Sequence, residues 1–280
     1  MENMLNKLNA ELDKNPDNAE IIKNIGNYYY SNNNYDEAIN YYKKSIEKDS
    51  SFYKSYYNLG NTYYMQNNFE AALENWFTAV KINPEHEKSH YNIGFTYLNQ
   101  YKNVSKALPH LQKAIEINGE NSLALNCMGL CYFENENFEL AENFLKKAIE
   151  IDSFNPEFFY NLGNLYYEIK KYKKALDCYK KVIELDSHDH KTYNNMADCY
   201  LKQNLCEKAM DFVEKSLSIN PDYPSSYCTR GEIFMAINDF PQALKDFETV
   251  VKMDNDSTIL SSYAKSIIAD IMARNGADKC

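Results

Sequence analysis

The chain has 280 residues, a formal net charge of −10 and a sequence pI near 5.1. Hydrophobic residues make up 44% of it and its mean hydropathy is −0.63, values typical of a soluble chain with enough apolar surface for packed layers. The acidic balance argues against nucleic acid as a partner, because nucleic-acid binders carry a basic stripe that displaces counterions. The net charge favours a basic segment over nucleic acid as the partner. We expect a protein or peptide partner that is a basic or extended segment.

The sequence predicts an intracellular protein. No run approaches the roughly 18 apolar residues that a membrane span needs, and the first residues lack the apolar core of a signal peptide. The seven cysteines are an odd number scattered along the chain, which favours small buried side chains in a reducing compartment over a disulfide framework. We therefore expect a cytoplasmic location without membrane insertion, and a nuclear location or a cytoplasmic complex fits the same observations.

A register of small residues recurs along the chain at intervals of 34 residues, with one interval of 35. Ala197 holds one place in this register, and glycine holds the other six: Gly26, Gly60, Gly94, Gly129, Gly163 and Gly231. A parallel alanine series runs from Ala38 to Ala243 and has its longer interval one step earlier. The extra residue is therefore predicted in a turn of the third repeat, near Gln100–Val104.

Each repeat is predicted to contain two amphipathic helices joined by a short polar turn. Around the glycine of the second repeat, apolar residues recur at helical spacing at Tyr56, Leu59 and Tyr63. The half after the turn shows the same spacing. Glycine inside a helix costs about 1 kcal/mol relative to alanine. Its repeated use therefore predicts that a neighbouring helix approaches closely at this point.

The pattern resembles the tetratricopeptide repeat (TPR) family, a 34-residue helix–turn–helix with fixed aromatic, small and proline positions. In the second repeat these positions hold Tyr56, Leu59, Gly60, Tyr63, Ala72, Trp76, Ala79 and Pro84. The resemblance implies an all-α, right-handed α-solenoid, or superhelix, of seven repeats at residues 19–52, 53–86, 87–121, 122–155, 156–189, 190–223 and 224–257. Residues 1–18 are predicted to form an N-terminal capping helix, and residues 258–280 a C-terminal capping helix and tail.

Two prolines fall in predicted second helices. Pro109 lies where the second helix of the third repeat is already established, and proline in a helix interior costs about 3 kcal/mol. That helix is therefore expected either to begin late or to be kinked. Pro241 follows a plausible N-cap at Asp239 and is expected to be tolerated.

The sequence offers no constellation for catalysis, a cofactor or a metal. Its glycines never cluster into a phosphate-binding loop. The close histidine pairs, His86 with His90 and His188 with His190, lie at loop–helix boundaries and are interpreted as solvated loop residues. Cys127 and Cys131 are one helical turn apart without a second pair, which favours packing. We expect a protein that is not an enzyme and has no cofactor.

The family resemblance implies that the first helix of each repeat lines a concave groove, at positions two and three before the glycine and one after it. These positions hold Asn24, Asn27, Tyr57, Asn58, Asn61, Tyr91, Asn92, Tyr160, Asn161, Asn164 and Asn195. Asparagine offers a donor and an acceptor, so a ladder of asparagines is able to pair with an extended peptide backbone. The alternative is that these residues reflect the family pattern and the composition of the chain rather than peptide binding. It is equally open, because this chain uses asparagine and tyrosine heavily and both are common at these family positions.

A more specific alternative concerns the first three repeats. The carboxylate clamp of TPR co-chaperones, which binds the C-terminal EEVD of Hsp70 and Hsp90, implies five side chains at fixed offsets from the first three glycines. Here these positions hold Lys23, Asn27, Asn58, Lys88 and Asn92. Asn92 departs from the pattern, because the clamp has an arginine there, whose planar fork binds a carboxylate bidentately.

The sequence thus predicts a non-catalytic scaffold or adaptor that binds a protein segment or peptide in the TPR groove. One alternative is the co-chaperone-like clamp. Another is a structural subunit of a multiprotein assembly that uses its convex or terminal surfaces. The sequence does not encode the identity of the partner.

Overall fold

The computed structural model describes the backbone of residues 2–253 and 258–277 and the side chains of residues 4–253 and 258–273. This part of the chain is helical and contains no strand, which confirms the predicted all-α class. Its helices are α1 (Glu2–Lys14), α2 (Ala19–Ser31), α3 (Tyr35–Lys48), α4 (Tyr53–Met65), α5 (Phe69–Ile82), α6 (Glu87–Asn99), α7 (Val104–Ile117), α8 (Ser122–Glu134), α9 (Phe138–Ile151), α10 (Pro156–Glu168), α11 (Tyr172–Leu185), α12 (His190–Leu201), α13 (Cys206–Ile219), α14 (Pro224–Ala236), α15 (Phe240–Met253) and α16 (Ile259–Ala277).

The chain divides into two compact units, Met1–Phe144 (unit 1) and Leu145–Cys280 (unit 2). Within each unit, consecutive helices pack against each other as antiparallel hairpins, the arrangement of an α-solenoid. In unit 1, α2 pairs with α3, α4 with α5, and α6 with α7. In unit 2, α10 pairs with α11, α12 with α13, and α14 with α15. The exact repeat boundaries stay a prediction.

Side-chain caps set the beginnings of several helices. The Asn18 side chain accepts hydrogen bonds from the backbone N–H groups of Glu20 and Ile21 at the start of α2. Asn68 caps α5 in the same way through Ala71 N–H, at 3.2 Å. Such a cap satisfies a backbone donor that has no partner inside the helix. The abundance of asparagine in this sequence is thus partly explained by helix starts.

The register glycines lie where the two helices of a hairpin touch. A Cβ added to Gly60 would lie 2.5 Å from Nε1 of Trp76 and 3.0 Å from the backbone oxygen of Ala72, closer than packed atoms approach. In each described case a large side chain from the second helix fills the space above the glycine. The pairs are Gly26 with Tyr42, Gly60 with Trp76, Gly94 with Leu111, Gly163 with Tyr179, and Gly231 with Phe247.

Ala197, the one alanine of this register, lies where the second helix carries a smaller side chain. Ala197 and Val213 are both fully buried in one apolar cluster of unit 2. Val213 occupies the place that Tyr179 and Phe247 hold in the neighbouring hairpins. Because valine is smaller than tyrosine or phenylalanine, the first helix has room for a Cβ at residue 197. The predicted close approach of the two helices is confirmed.

The turn inside each hairpin contains one residue in the left-handed region. These residues have φ between 50° and 63° and are Asn33, Asn67, Lys102, Glu136, Lys170, Asn204 and Asn238. Asparagine tolerates this conformation better than most residues. The series keeps the 34-residue interval except between Asn67 and Lys102, which confirms that the extra residue lies in the turn between α6 and α7.

The two prolines differ in their surroundings. Helix α7 begins at Val104 and contains Pro109, so the expected alternative of a late helix start is wrong. The helix continues through the proline because the packing of Ala107, Leu111 and Ala114, all fully buried, holds it in register. Pro241 is the second residue of α15, behind Asp239, which accepts from Gln242 N–H. It is tolerated there, as predicted.

The last hairpin replaces an apolar contact by an ion pair. Arg230, one of only two arginines, stands directly before Gly231, where the other repeats have Ile, Leu or Met. Its Nε and Nη2 donate to the carboxylate of Asp246 at 2.8 and 2.7 Å, and the Asp246 side chain is only 4% exposed. A bidentate pair of this kind satisfies a charge that would be costly alone.

The terminal helices each pack on a neighbouring helix, α1 on α2 in unit 1 and α16 on α15 in unit 2, and their role as caps stays a prediction. In α1, Leu8 is buried, while in α16 Ala264 and Ile271 are buried against Phe247 and Val250. The predicted tail is partly helical, since α16 extends to Ala277, and residues 278–280 lie outside the described residues. Within the described ranges, no helix combines the length and apolar character that crossing a bilayer demands.

We predict that Gly60→Ala destabilises the protein by about 1–2 kcal/mol, because overpacking exceeds the gain of about 1 kcal/mol in helix propensity. Gly231→Ala is the matched control. There the added Cβ meets Phe247 at 3.0 Å, so a small shift of the ring relieves the contact. Urea unfolding followed by circular dichroism measures both. Equal effects of the two substitutions would contradict the close-packing explanation.

Candidate functional site

The first helices of unit 1 form an open pocket of about 260 Å³. We call it the groove pocket. It is lined by Tyr30, Tyr57, Asn61, Tyr64, Met65, Trp76, Tyr91, Asn92, Phe95 and Thr96. Four of these residues, Tyr57, Asn61, Tyr91 and Asn92, were assigned to the groove from the sequence. The structure therefore brings part of the predicted set together around one pocket.

A hydrogen-bonded pair of amides crosses the groove pocket. The Oδ1 atom of Asn61 accepts from Nε1 of Trp76 at 3.0 Å and from Nδ2 of Asn92 at 2.9 Å. Because the indole N–H only donates, it fixes which end of the Asn61 amide faces it. The orientation of Asn92 follows, since it must supply an N–H. Asn61 Nδ2 and Asn92 Oδ1 then have no hydrogen-bond partner among the described residues.

The same bridge occurs twice more. Asn27 accepts from the Tyr42 hydroxyl and from Asn58 Nδ2, both at 2.8 Å. In unit 2, Asn164 accepts from the Tyr179 hydroxyl at 2.8 Å and from Asn195 Nδ2 at 3.2 Å. Burial raises the pKa of both tyrosines well above its usual value, so both hydroxyls stay protonated donors.

These bridges change the interpretation of the asparagine ladder. Each bridge joins an asparagine one after a glycine to an asparagine two before the next small residue of the register, which is Gly60, Gly94 or Ala197, and so ties one hairpin to the next. One amide face is used inside the fold, and only the other is left for a ligand. The two sequence alternatives, packing and peptide recognition, thus describe different atoms of the same side chains.

The remaining predicted residues have varied surroundings. Asn24 and Asn161 are half-buried. Tyr160 receives a hydrogen bond from Asn195 at 3.2 Å and lines a pocket of unit 2 that, unlike the groove pocket, has charged side chains such as Asp189 in its lining. Of the thirteen predicted side chains, nine belong to unit 1 and four to unit 2.

The two predicted lysines differ in exposure. Lys88 is exposed at the start of α6. Lys23 is only 8% exposed, its nearest carboxylate is Glu20 at 3.9 Å, and its ammonium lies 5.8 Å from the centre of the Phe52 ring. Burial lowers the pKa of Lys23, and the opposing effect of Glu20 is smaller. A buried ammonium with so little compensation favours an additional anion nearby.

Lys54 is a further cation at this surface that the sequence analysis missed. It is exposed, and its ammonium lies 5.9 Å from the centre of the same Phe52 ring. It precedes Tyr57 by three residues, as Lys88 precedes Tyr91. This repeated offset is a signal that the sequence contains, although the clamp pattern of the family does not include it.

The prediction that His86 and His90 are solvated is wrong. His86 is half-buried against the rings of Tyr53 and Tyr57, at centroid distances of 4.9 and 4.8 Å, and His90 is buried. Burial, helped by the charge of Lys88, lowers the pKa of His86 to about 4. Position near a loop does not imply exposure here, because α4 lies against His86 and the His110 ring of α7 lies against His90.

His90 also forms a pair with His110 of α7. The Nε2 atom of His90 lies 3.0 Å from the backbone oxygen of Pro84, which only accepts, so this nitrogen bears the hydrogen. In the neutral ring, His90 Nδ1 then accepts from His110 Nδ1, at 3.3 Å. Burial lowers the pKa of His110 to about 4. A hydrogen bond between the two Nδ1 atoms requires one of them to accept, so at least one ring of the pair is neutral.

Family models for the tetratricopeptide repeat match residues 156–189 and 190–223, and a further TPR repeat model matches residues 26–67, 60–100 and 129–170. Together these matches cover more than half of the chain. The chain belongs to the TPR family. No curated protein sequence matches this TPR chain.

Solved structures agree with that family. The TPR chain resembles YrrB, described as a TPR protein with an unusual peptide-binding site, at 28% identity and a TM-score of 0.56, covering 66% of this chain and 94% of YrrB. A TPR protein from Parabacteroides merdae is similar in fold at 20% identity and a TM-score of 0.68, covering 91% and 99% of the two chains.

A third similar structure is the APC/C hetero-tetramer Cut9–Hcn1, at 22% identity and a TM-score of 0.67. The match covers 82% of this chain but only 46% of that one, so this chain spans less than half of its length. At 22% identity this similarity shows a shared fold and nothing about function.

We predict that Trp76→Phe destabilises unit 1 more than Trp76→Tyr does. Phenylalanine leaves Asn61 without its buried donor, which costs about 1–3 kcal/mol. Tyrosine restores one, as Tyr42 and Tyr179 show at the equivalent places. Thermal unfolding by circular dichroism compares the variants. If tyrosine is no better than phenylalanine, the hydrogen bond to Asn61 does not stabilise the fold.

We also predict that the free energy of unfolding decreases as the pH falls from about 6.5 to about 4. The folded-state pKa of His86 and His110, about 4, lies below the unfolded value of about 6.5, so the unfolded chain takes up protons first. Each pKa unit corresponds to about 1.4 kcal/mol. Denaturant titrations across this range measure the slope. His110→Gln should flatten it, whereas the same change at exposed His188 should not.

Proposed function

We propose that the protein is a non-catalytic scaffold or adaptor that binds an extended segment of a partner protein along the first helices of unit 1. The observation that carries this proposal is the groove pocket, in which Tyr57, Asn61, Tyr91 and Asn92 meet. Asn61 Nδ2 and Asn92 Oδ1 offer a donor and an acceptor, the pair that a peptide group requires. The tyrosines beside them supply apolar area with a polar tip.

Two further points support binding without catalysis. TPR proteins are generally interaction scaffolds, and the similar protein YrrB has a peptide-binding site. Burial raises the pKa of Cys131, Cys199 and Cys228 to about 12, so these thiols are poor nucleophiles. The cytoplasmic location stays a prediction.

The proposal is tested by removing the pocket tyrosines. Tyr57→Ala with Tyr91→Ala should abolish capture of the partners that the native protein retains from a cell extract, as identified by mass spectrometry. The control is Tyr35→Ala with Tyr101→Ala, which removes two tyrosines outside the first helices. If the double pocket variant retains the native partner set, the alternative of an assembly subunit that uses other surfaces is favoured.

The carboxylate clamp remains a second candidate because of Lys23. Its buried ammonium lies near Lys54 and is paired only with Glu20, so a bound carboxylate would stabilise it. Against the clamp, Asn92 replaces the arginine and is already bonded to Asn61.

The clamp has its own test. An acidic peptide with a free C-terminal carboxylate should bind more tightly than its amidated form, and Lys23→Ala with Lys88→Ala should remove the difference. Equal affinities of the two peptides exclude a terminal-carboxylate clamp and leave groove binding intact.

A further inference from the structure

The lining of the groove pocket has no charged side chain. Tyr30, Tyr64 and Phe95 add aromatic surface to the predicted residues, and Met65 is 49% exposed at the rim. The volume of about 260 Å³ is below the roughly 300–1,000 Å³ of sites for drug-sized ligands. A pocket of this size and character suits one large apolar side chain.

Cations border the pocket at the beginnings of the same helices. Lys54 and Lys88 are exposed, and neither forms an ion pair with a residue in the described ranges. The nearby carboxylates are engaged elsewhere. Glu85 pairs with Lys113 at 2.9 Å, and Glu87 accepts a hydrogen bond from Asn121. Lys54 and Lys88 thus keep ammonium groups that have no carboxylate of the described residues within ion-pair distance, although the protein as a whole is acidic.

The spacing between cation and pocket is set by the helix. Lys54, Tyr57 and Asn61 are at positions i, i+3 and i+7 of α4, on one face of the helix. Seven residues of helix rise by about 10 Å, which equals about three residues of extended chain. A carboxylate two or three residues from an apolar side chain thus reaches Lys54 while the apolar side chain occupies the pocket.

We infer that the partner segment is acidic and extended, with one large apolar side chain that enters the groove pocket and carboxylates that lie against Lys54 and Lys88. This inference rests on the proposed function and names the chemistry of its partner. Asn61 Nδ2 and Asn92 Oδ1 bind the main chain of the segment beside the apolar side chain.

The inferred sign of charge is opposite to the expectation from the net charge of −10. Net charge governs long-range steering, whereas a docked segment meets the charges next to it. A basic segment in the groove pocket would face Lys54 and Lys88 at close range. The expectation of a basic partner therefore does not apply to this surface.

The test uses three dye-labelled peptides that are blocked at both ends, so no terminal carboxylate contributes. The first is acetyl-Glu-Glu-Ser-Leu-Ser-Glu-Glu-amide, the second replaces Leu by Ser, and the third replaces every Glu by Lys. Fluorescence anisotropy gives the Kd of each for the native protein. We expect the first peptide to bind at least about tenfold more tightly than either of the others, because it alone has both the apolar side chain and the matching charge.

Charge reversal assigns the binding to this surface. Lys54→Glu with Lys88→Glu should invert the preference between the acidic and the basic leucine peptides. Lys43→Glu with Lys81→Glu makes the same change in formal charge on α3 and α5, both at exposed positions, and should leave the preference unchanged.

Each other result overturns the inference. If the basic peptide binds as well as the acidic one, or if reversal at Lys54 and Lys88 does not change the preference, the charge assignment is wrong. If the leucine and serine peptides bind equally, the pocket does not hold an apolar side chain. If none of the three binds, the acidic–apolar partner is excluded, while the proposed function is judged separately by capture with the tyrosine variants.

Discussion

The fold depends on the contact between a glycine in one helix and a large side chain about half a repeat further along. Where the second side chain is Tyr42, Trp76 or Tyr179, its polar tip reaches the residue directly after the glycine, and that residue is asparagine in all three hairpins. Where the second side chain is apolar, as at Leu111 and Phe247, the residue after the glycine is Phe95 or Glu232. The packing contact and the amide bridge therefore depend on the same side chain of the second helix.

This asparagine connects the packed interior of the hairpin to the surface of the groove. The asparagine that is held by the second helix also receives the N–H of an asparagine in the next hairpin, so it is a structural residue on one side and a groove residue on the other. The series breaks at Phe95, and the groove pocket lies between this ring and the Asn61–Asn92 bridge. Phe95, which stands in unit 1 where the two preceding repeats have asparagine, thus places an apolar recess beside a fixed donor and acceptor.

Much of the fold followed from the sequence because the register was repeated many times. Gly60, Ala72 and their equivalents located the helices, and the displaced interval located the longer turn after Asn99. Other features depend on tertiary contacts that the repeat pattern does not indicate. His90 contacts the Pro84 carbonyl and the His110 ring, and Trp76 donates to Asn61 of the preceding helix, and the spacing of the repeat indicates neither contact. Lys88 was assigned from the clamp pattern, whereas Lys54 lies outside that pattern and the net charge of −10 does not indicate a cation at this surface.

Trp76 is the only tryptophan of the chain, it is 2% exposed, and its indole N–H is bonded to groove residues. In a repeat protein each hairpin is stabilised mainly by its neighbours, so separate parts of the array are able to unfold at different denaturant concentrations. Tryptophan emission, excited at wavelengths where the 25 tyrosines do not absorb, therefore reports on a single layer, whereas circular dichroism averages over all the helices. A difference between the two unfolding curves would show directly how far cooperativity extends from that layer.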